Sequence, residues 1–371
     1  MAKRLPSDPP RLPGYSYVRP LGSGGFADVF LFQQDLPRRA VAVKVLPAEV
    51  VDRALIRMFN AEADVMARLS AHPSILTVYE ASVSADGRPY LVMEYCPGSL
   101  TSRYKREAMP LADVLDTAVR IAGALETAHR AGLLHRDIKP SNILITSFGA
   151  PVLSDFGIAA SLAGSVSDEP FAMSVPWSAP EVVEEATTGT IASEVWALAA
   201  TVYTLLAGRS PFELPGSGRN SREEIRARVR RAKYTPIRRR DVPEAVEEVL
   251  QRALTRDPAK RQPGVAAFGE ELRAVQGALG LTVTPFDVPS DDWAESGIVV
   301  LDDDAVRGPV APAVAHSSRR SRRSRHSATS RRRTEAPPAP RSRTVRVGTV
   351  IWIAAACAVV PVGILLVATG H

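Results

Sequence analysis

The amino-acid composition changes sharply near Phe286, and this change limits which part of the chain can build a hydrophobic core. Residues 12–280 alternate apolar runs with turn signals and are long enough for one large domain or two ordinary ones. Residues 281–346 are first acidic and then rich in Arg, Ser and Pro, so they have little apolar surface to bury and are expected to form a disordered linker. The folded domain is therefore predicted to span residues 12–280, after an N-terminal tail of residues 1–11.

An uncharged apolar run occupies residues 347–368. As a helix it would reach ~33 Å, which is enough to cross a hydrocarbon core of ~30 Å. The alternative, a buried core helix, is disfavoured because no further domain follows that could bury the run. The sequence therefore predicts a single-pass transmembrane helix, in which Pro361 is tolerated.

The arginine tract of the linker lies immediately before this run. The positive-inside tendency then places the N-terminal domain in the cytoplasm at the cell membrane, with residues 369–371 as an extracellular stub and no extracellular sensor. The tract could be only a topology signal and tether, or it could bind anionic lipid at ~1 kcal/mol per basic residue near the surface. Nucleic acid is a less favoured partner, since the neighbouring span would hold the tract at a membrane.

The chain has two cysteines, Cys96 and Cys357, in very different contexts. This argues against a disulfide framework and favours a reducing compartment around the main domain. The N-terminus has no apolar h-region, so no signal peptide is predicted.

A glycine-rich segment, LGSGGFADVF, covers Leu21–Phe30. Glycine lets the backbone approach a phosphate closely, and successive amide groups can then point at it. The flanking runs YSYVRPL and DVFLF are predicted as strands, whereas the dinucleotide fingerprint runs from a strand into a helix. Two interpretations stay open at this point: a phosphate-binding loop and a plain hairpin turn.

Lys44 lies in the run AVAVKVL, which is predicted as a strand rich in β-branched residues. An inward-pointing lysine needs an anionic partner, and Glu62, in the helix predicted for residues 54–69, could supply it. Each residue also has a simpler explanation. Lys44 could protect an edge strand against aggregation, and Glu62 could be a solvated helix residue.

A polar loop, HRDIKPSN, covers residues 135–142 and follows a long helix predicted for residues 111–131, which ends at Gly132. The apolar runs before and after the loop are both predicted as strands that hold it rigidly. Asp155 follows at the end of another predicted strand, in VLSDFGIA. By itself the loop is either a catalytic loop or a polar turn.

Six motifs, in order, resemble those of the eukaryotic-type (Hanks-type) serine/threonine protein kinases that bacteria carry on their membranes. They cover roughly residues 12–275. The resemblance implies an α+β, bilobal protein kinase fold, with a β-rich N-lobe and a helical C-lobe, followed here by the linker and the transmembrane helix.

The resemblance also implies roles for individual residues in binding ATP and Mg²⁺, with Mn²⁺ as an alternative metal. The nucleotide would be bound by Leu21, Gly22, Ser23, Gly24, Gly25, Val29, Ala42, Lys44 and the hinge residues Met93, Glu94 and Tyr95. The catalytic residues would be Asp137 as the base, Lys139 at the transferred phosphoryl group, and Lys44 paired with Glu62. The metal would be ligated by Asn142 and Asp155.

Two further segments resemble parts of the kinase C-lobe. In SVPWSAPEVV, Ser174 stands where the family usually has a threonine that contacts the catalytic Asp and Lys, and Glu181 would pair with Arg261 in a buried salt bridge. IASEVWALAATVYTLLAG is apolar nearly all round and resembles the central helix of the C-lobe.

The sequence departs from the family pattern in three places. Ala27 replaces the third glycine of the loop, and Glu194 replaces the Asp that usually anchors the catalytic loop. The activation segment, residues 155–181, has no threonine, so the candidate regulatory phosphorylation sites are Ser161, Ser165 and Ser167.

The resemblance implies transfer of the ATP γ-phosphate to Ser or Thr of proteins, including the chain itself, in cytoplasmic signalling at the membrane. It also implies that a homodimer can form through the N-lobe. The alternatives are a nucleotide-binding pseudokinase scaffold, disfavoured because Lys44, Asp137 and Asp155 are present, and a small-molecule phosphotransferase, disfavoured by Lys139 and the APE segment.

Overall fold

A computed structural model describes residues 5–24, 27–46, 59, 63–156, 174–216 and 218–289. Gly25, Glu62, the three candidate serines and the predicted span 347–368 lie outside these residues. Within them, no helix is both long enough and apolar enough to cross a membrane.

The N-lobe is a five-stranded antiparallel sheet with the strand order β1-β2-β3-β5-β4. Its strands are β1 (Tyr15–Ser23), β2 (Asp28–Gln34), β3 (Arg39–Val45), β4 (Val78–Val83) and β5 (Pro89–Glu94). The predicted strands on both sides of the glycine-rich segment, and the one that carries Lys44, are confirmed.

Side chains alternate between the two faces of this sheet along β3. Val41, Val43 and Val45 are buried in a small cluster with phenylalanines of β2. Ala42, which lies between them, belongs instead to the larger cluster that continues into the C-lobe. Because Lys44 shares the face of Ala42, the strand aims the lysine toward the C-lobe.

The C-lobe is mostly helical. Residues 59 and 63–69 are the described part of helix α1 of the N-lobe. The other helices among the described residues are α2 (Leu100–Tyr104), α3 (Leu111–Arg130), α4 (Pro180–Val183), α5 (Ile191–Ala207), α6 (Arg222–Arg231), α7 (Glu244–Ala253) and α8 (Val265–Ala278). Helix α5 is the predicted central helix and is buried along most of its length. A capping box of Thr190 and Ser193 starts it, and Gly208 ends it in the left-handed conformation.

A second, three-stranded sheet follows the polar loop and consists of β6 (Gly98–Ser99), β7 (Ile143–Ile145) and β8 (Pro151–Leu153). Only the apolar run after the loop is a strand, so the prediction of a strand before the loop is wrong. Leu133 donates its backbone N–H to the carbonyl of Ala128 at 2.9 Å and closes the C-terminal cap of α3 around Gly132. That N–H is therefore not available to a strand ladder.

The packed chain continues beyond residue 280, the predicted end of the folded domain. Thr284 is buried and donates its hydroxyl to Asp116 of α3 at 3.0 Å. The Asp287 carbonyl lies 2.8 Å from His72 Nε2. A Cβ at Gly123 of α3 would meet this same carbonyl at 2.6 Å, so glycine at this position permits the close approach.

Candidate active site

The glycine-rich segment forms the turn between β1 and β2. The strand register pairs Gly22 with Val29, and Gly24 donates its N–H to the Ala27 carbonyl at 2.9 Å. Ala27 thus contributes a backbone group, which explains why this turn tolerates alanine in place of the third glycine.

An apolar wall lies beside this turn. Four residues predicted to bind the nucleotide belong to, or pack against, the larger hydrophobic cluster: Leu21, Val29, Ala42 and Met93. Ala42 of β3 and Met93 of β5 are paired across the sheet. Glu94 and Tyr95 follow directly, and the Glu94 N–H donates to the Thr77 carbonyl at 2.9 Å. The predicted hinge is therefore continuous with the sheet that carries Lys44.

Lys44 reaches across to the C-lobe, where its Nζ lies 3.1 Å from Asp155 Oδ1. The positive charge of Lys44 holds the pKa of the Asp155 carboxyl below its ordinary value. Asp155 has φ 56°, a left-handed conformation that is uncommon outside glycine and is often found at functional sites. The predicted partner Glu62 lies outside the described residues.

The polar loop brings two side chains, Lys139 and Asn142, together around the carboxylate of Asp137. Asp137 Oδ2 lies 2.6 Å from Lys139 Nζ and accepts a hydrogen bond from Asn142 Nδ2 at 3.0 Å. Lys139 Nζ also donates to Ser174 Oγ at 2.8 Å. The loop is thereby connected to the segment predicted to dock substrate.

His135 connects the polar loop to the residue before Asp155 through two hydrogen bonds. It is fully buried, and its Nδ1 accepts the Asp137 N–H at 3.2 Å. Its Nε2 therefore carries the proton and donates to the Ser154 carbonyl at 2.9 Å. Ser154 in turn donates its N–H to the Asn142 carbonyl at 2.8 Å. One buried ring thus fixes the relative positions of Asp137 and Asp155.

Glu194 of α5 anchors the loop backbone despite the departure from the usual Asp. Its Oε1 accepts the Arg136 N–H at 2.6 Å, and its Oε2 lies 2.6 Å from His129 Nε2 of α3. The Glu194 and His129 side chains are 2% and 4% exposed. Arg136 is held at φ 66°, directly before Asp137. The longer glutamate therefore reaches the loop while its second oxygen is bound by His129.

The sequence analysis did not single out His129, because this histidine is 65 residues from Glu194 along the chain. A local signal is its position in the last turn of α3, directly after the buried Ala128.

The predicted salt bridge between Glu181 and Arg261 is confirmed. The guanidinium contacts both carboxylate oxygens, at 2.7 and 2.9 Å, and its side chain is fully buried. Its remaining N–H groups donate to backbone carbonyls, so every donor of this buried arginine is satisfied. The bridge fixes α4, which begins with Pro180, against the C-terminal helices.

The donor chemistry of the cleft fits a Mg²⁺ ion shared with phosphate oxygens. Asn142 and Asp155 offer an amide oxygen and a carboxylate, and Mg²⁺ keeps several waters and needs only one or two such protein ligands. Across the described residues, no group of three or more His, Cys, Asp and Glu side chains is arranged to hold a metal.

Comparison with known proteins shows which family this chain resembles. Residues 15–268 match the model of the protein kinase domain family. The chain is 41% identical over 282 residues to the serine/threonine-protein kinase PknK of Mycobacterium bovis, covering 74% of this chain but 25% of that protein.

Two further relatives cover similar shares of this chain. Serine/threonine-protein kinase PrkC of Bacillus subtilis is 30% identical over 296 residues, which are 78% of this chain and 45% of that protein. For PknA of Mycobacterium tuberculosis the identity is 34% over 273 residues, which are 71% of this chain and 61% of that protein. With the family model matching most of its length, the chain belongs to the protein kinase domain family.

Proposed function

We propose that this chain is a serine/threonine kinase that transfers the γ-phosphate of ATP to Ser or Thr hydroxyls of proteins, including its own. The observation that carries the proposal is the continuous set of contacts from Lys44 through Asp155 and the polar loop to Ser174. It places two cations, two carboxylates and an amide around one cleft. Phosphoryl transfer requires positioning and charge neutralisation of this kind, with little covalent chemistry from the protein.

Asp137 is the proposed catalytic base. Lys139 and Asn142 both contact its Oδ2, which leaves Oδ1 to accept the proton of the substrate hydroxyl. A general base in this position typically contributes 10²–10⁴-fold to the rate.

Lys44 and Lys139 are the proposed cations at the phosphates. Lys44 would bind the α- and β-phosphates, and Lys139 would stabilise charge on the transferred group. Asn142 and Asp155 would hold Mg²⁺ or Mn²⁺, which supplies further neutralisation of phosphate charge when bound.

Substrate Ser or Thr is favoured by the contact between Lys139 and Ser174. This contact joins the base to the segment that precedes α4, so a docked polypeptide would present its hydroxyl close to Asp137. Relatives named serine/threonine-protein kinases support the same assignment.

The experiment compares the chain with its Asp137→Asn variant. Each is incubated with Mg²⁺ and labelled ATP, and labelled sites are mapped by mass spectrometry. We expect label on Ser or Thr of the native chain only, and nucleotide binding by both. Equal labelling of the variant would show that Asp137 is not the base, and nucleotide binding without any transfer would favour a pseudokinase scaffold.

We also propose that residues 347–368 anchor the kinase at the cell membrane with its catalytic domain in the cytoplasm. The support is the length and apolarity of the run and the arginine tract before it. Removing the residues after Arg346 is expected to move the protein from the membrane fraction to the soluble fraction. Continued sedimentation of the truncated chain would assign the anchoring to another surface.

A further inference from the structure

Helix α6 and the loop after it carry a dense group of basic residues that the proposed catalytic groups do not use. Residues 219–240 are dominated by Arg and Lys, with Glu223 and Glu224 as their only acidic residues. We define the α6 basic surface as four exposed side chains in this segment: Arg222, Arg230, Arg231 and Lys233. Within the part of the chain that the structure describes, none of the four is in an ion pair with a carboxylate.

The position of this surface relative to the active site follows from Arg226. Its Nη2 donates to the Val183 carbonyl, the last of α4, at 2.8 Å and lies 3.1 Å from Glu185 Oε1. Residues four apart share one face of a helix, so Arg222 and Arg230 lie on either side of this contact. Arg222 and Arg230 of the α6 basic surface therefore border α4.

The same helix borders the segment predicted to dock substrate. Helix α6 also contacts the single turn Val175–Trp177. That turn directly follows Ser174, whose hydroxyl lies 2.8 Å from Lys139 Nζ. A polypeptide that enters the cleft beside Ser174 thus has the α6 basic surface next to its path.

Helix stability explains only part of the pattern. Arg230 and Arg231 lie in the last turn of α6, where the helix dipole favours positive charge. Arg222 is at the opposite end, where the dipole disfavours it, and Lys233 lies beyond the helix. Arginines spaced four apart, as at 222, 226 and 230, also repel each other. The arrangement is therefore unfavourable for the isolated fold and suits an anionic partner.

We propose that the α6 basic surface docks an acidic segment of the protein substrate while the acceptor Ser or Thr lies at Asp137. The inference rests on the proposed kinase function and adds a substrate class to it, namely proteins with a cluster of Asp and Glu near the phosphorylated residue. A protein segment is favoured over a lipid surface because helix α6, on which Arg222 and Arg230 flank the contact with α4, also borders the substrate segment. The cations need not form buried ion pairs with the substrate, because a cluster of surface charge by itself raises the local concentration of an oppositely charged substrate and its association rate.

The test uses the full-length chain and two serine peptides of equal length. One carries a block of Asp and Glu to one side of the serine, and the other carries Asn and Gln at the same positions. We expect kcat/KM to be roughly tenfold higher for the acidic peptide at low salt, mainly through a lower KM, and the preference to shrink as salt screens the charges.

Two charge-reversal variants locate the preference. Arg222→Glu/Arg230→Glu is expected to abolish or invert it while leaving kcat/KM for the neutral peptide unchanged, which also shows that the variant is folded. Arg11→Glu/Arg38→Glu changes the charge equally at two exposed positions, one in the N-terminal tail and one between β2 and β3, and is expected to retain the preference.

Each result has a distinct meaning. Equal phosphorylation of both peptides by the native chain overturns the docking proposal and leaves the kinase function intact, whereas phosphorylation of neither contradicts the proposed function. Loss of the preference in both variants would mean that net charge, and not the α6 basic surface, selects the peptide. Binding of phosphatidylserine vesicles that depends on Arg222 and Arg230, with no peptide preference, would assign the surface to the membrane.

Discussion

The two sides of the cleft hold their charged groups in different ways. On the N-lobe side, Lys44 reaches over to Asp155, whose side chain is 53% exposed. On the C-lobe side, Glu194 and His135 hold the catalytic loop in position. Both are buried, and both carboxylate oxygens of Glu194 and both ring nitrogens of His135 are hydrogen-bonded. The carboxylate that Lys44 contacts is thus half exposed, whereas the groups that position the loop are buried. Substitutions on the two sides should therefore differ in how far they affect folding as well as activity.

The largest effect on folding is expected from Arg261. Replacing it with Ala leaves Glu181 without its partner and several backbone carbonyls without a donor. Breaking a buried ion pair from one side typically costs ~3–5 kcal/mol. The free energy of unfolding, measured by urea denaturation of the native chain and the variant, should fall by about that amount.

Arg261→Lys provides the matched control. A lysine keeps the charge but cannot donate to both Glu181 oxygens and to the backbone carbonyls at once. We expect most of the loss to persist in this variant. If lysine restored stability fully, charge alone would account for the bridge and the buried hydrogen-bond geometry would not matter.

A smaller effect, shared between folding and activity, is expected at the pair of His129 and Glu194. In His129→Leu, one oxygen of a buried carboxylate loses its donor, at a cost of ~1–3 kcal/mol. Because Glu194 also holds the Arg136 N–H, kcat should fall roughly tenfold with little change in the KM for ATP. Steady-state kinetics and urea denaturation measure the two effects separately.

His129→Gln tests whether the hydrogen bond is the reason. Glutamine can place an N–H donor near the position of His129 Nε2, so this variant should recover most of the lost kcat. Equal kcat in the Leu and Gln variants would show that His129 fills space and does not position the loop.

Short motifs in the sequence identified the candidate groups at the cleft, but no motif identified the residues that support them. Lys44, Asp137 and Asp155 lie in short sequence motifs. The apolar runs in and beside these motifs indicated the strands that position them. The contact between His129 and Glu194 joins two helices distant in sequence, so no local pattern could show it. The packed segment beyond residue 280 was missed for a similar reason, since its buried Thr284 is polar and is held by hydrogen bonds to Gln276 and Asp116.

On the N-lobe side, Lys44→Met should separate activity from folding. We expect phosphate transfer to fall by at least about a hundredfold, because a cation aimed at developing negative charge is lost. The free energy of unfolding should change by less than ~1 kcal/mol, since the partner Asp155 is half exposed. Labelled-ATP transfer and urea denaturation are the measurements. A loss of stability as large as that of Arg261→Ala would remove the contrast between the two sides.

The smallest expected effect is the pH dependence of that same pair. Lys44 lowers the pKa of Asp155 in the folded state, so the ionised carboxylate stabilises the fold at pH values above its ordinary pKa of about 4. This contribution is lost as the pH falls through the lowered pKa of the folded state. The difference in unfolding free energy between the native chain and Lys44→Met should therefore be constant from pH 7 to about 5 and shrink below about 4. A difference that stays constant down to pH 3 would come from the packing of the lysine stem against the sheet and not from its charge. The N-lobe side of the cleft would then be stabilised by buried contacts, as the C-lobe side is.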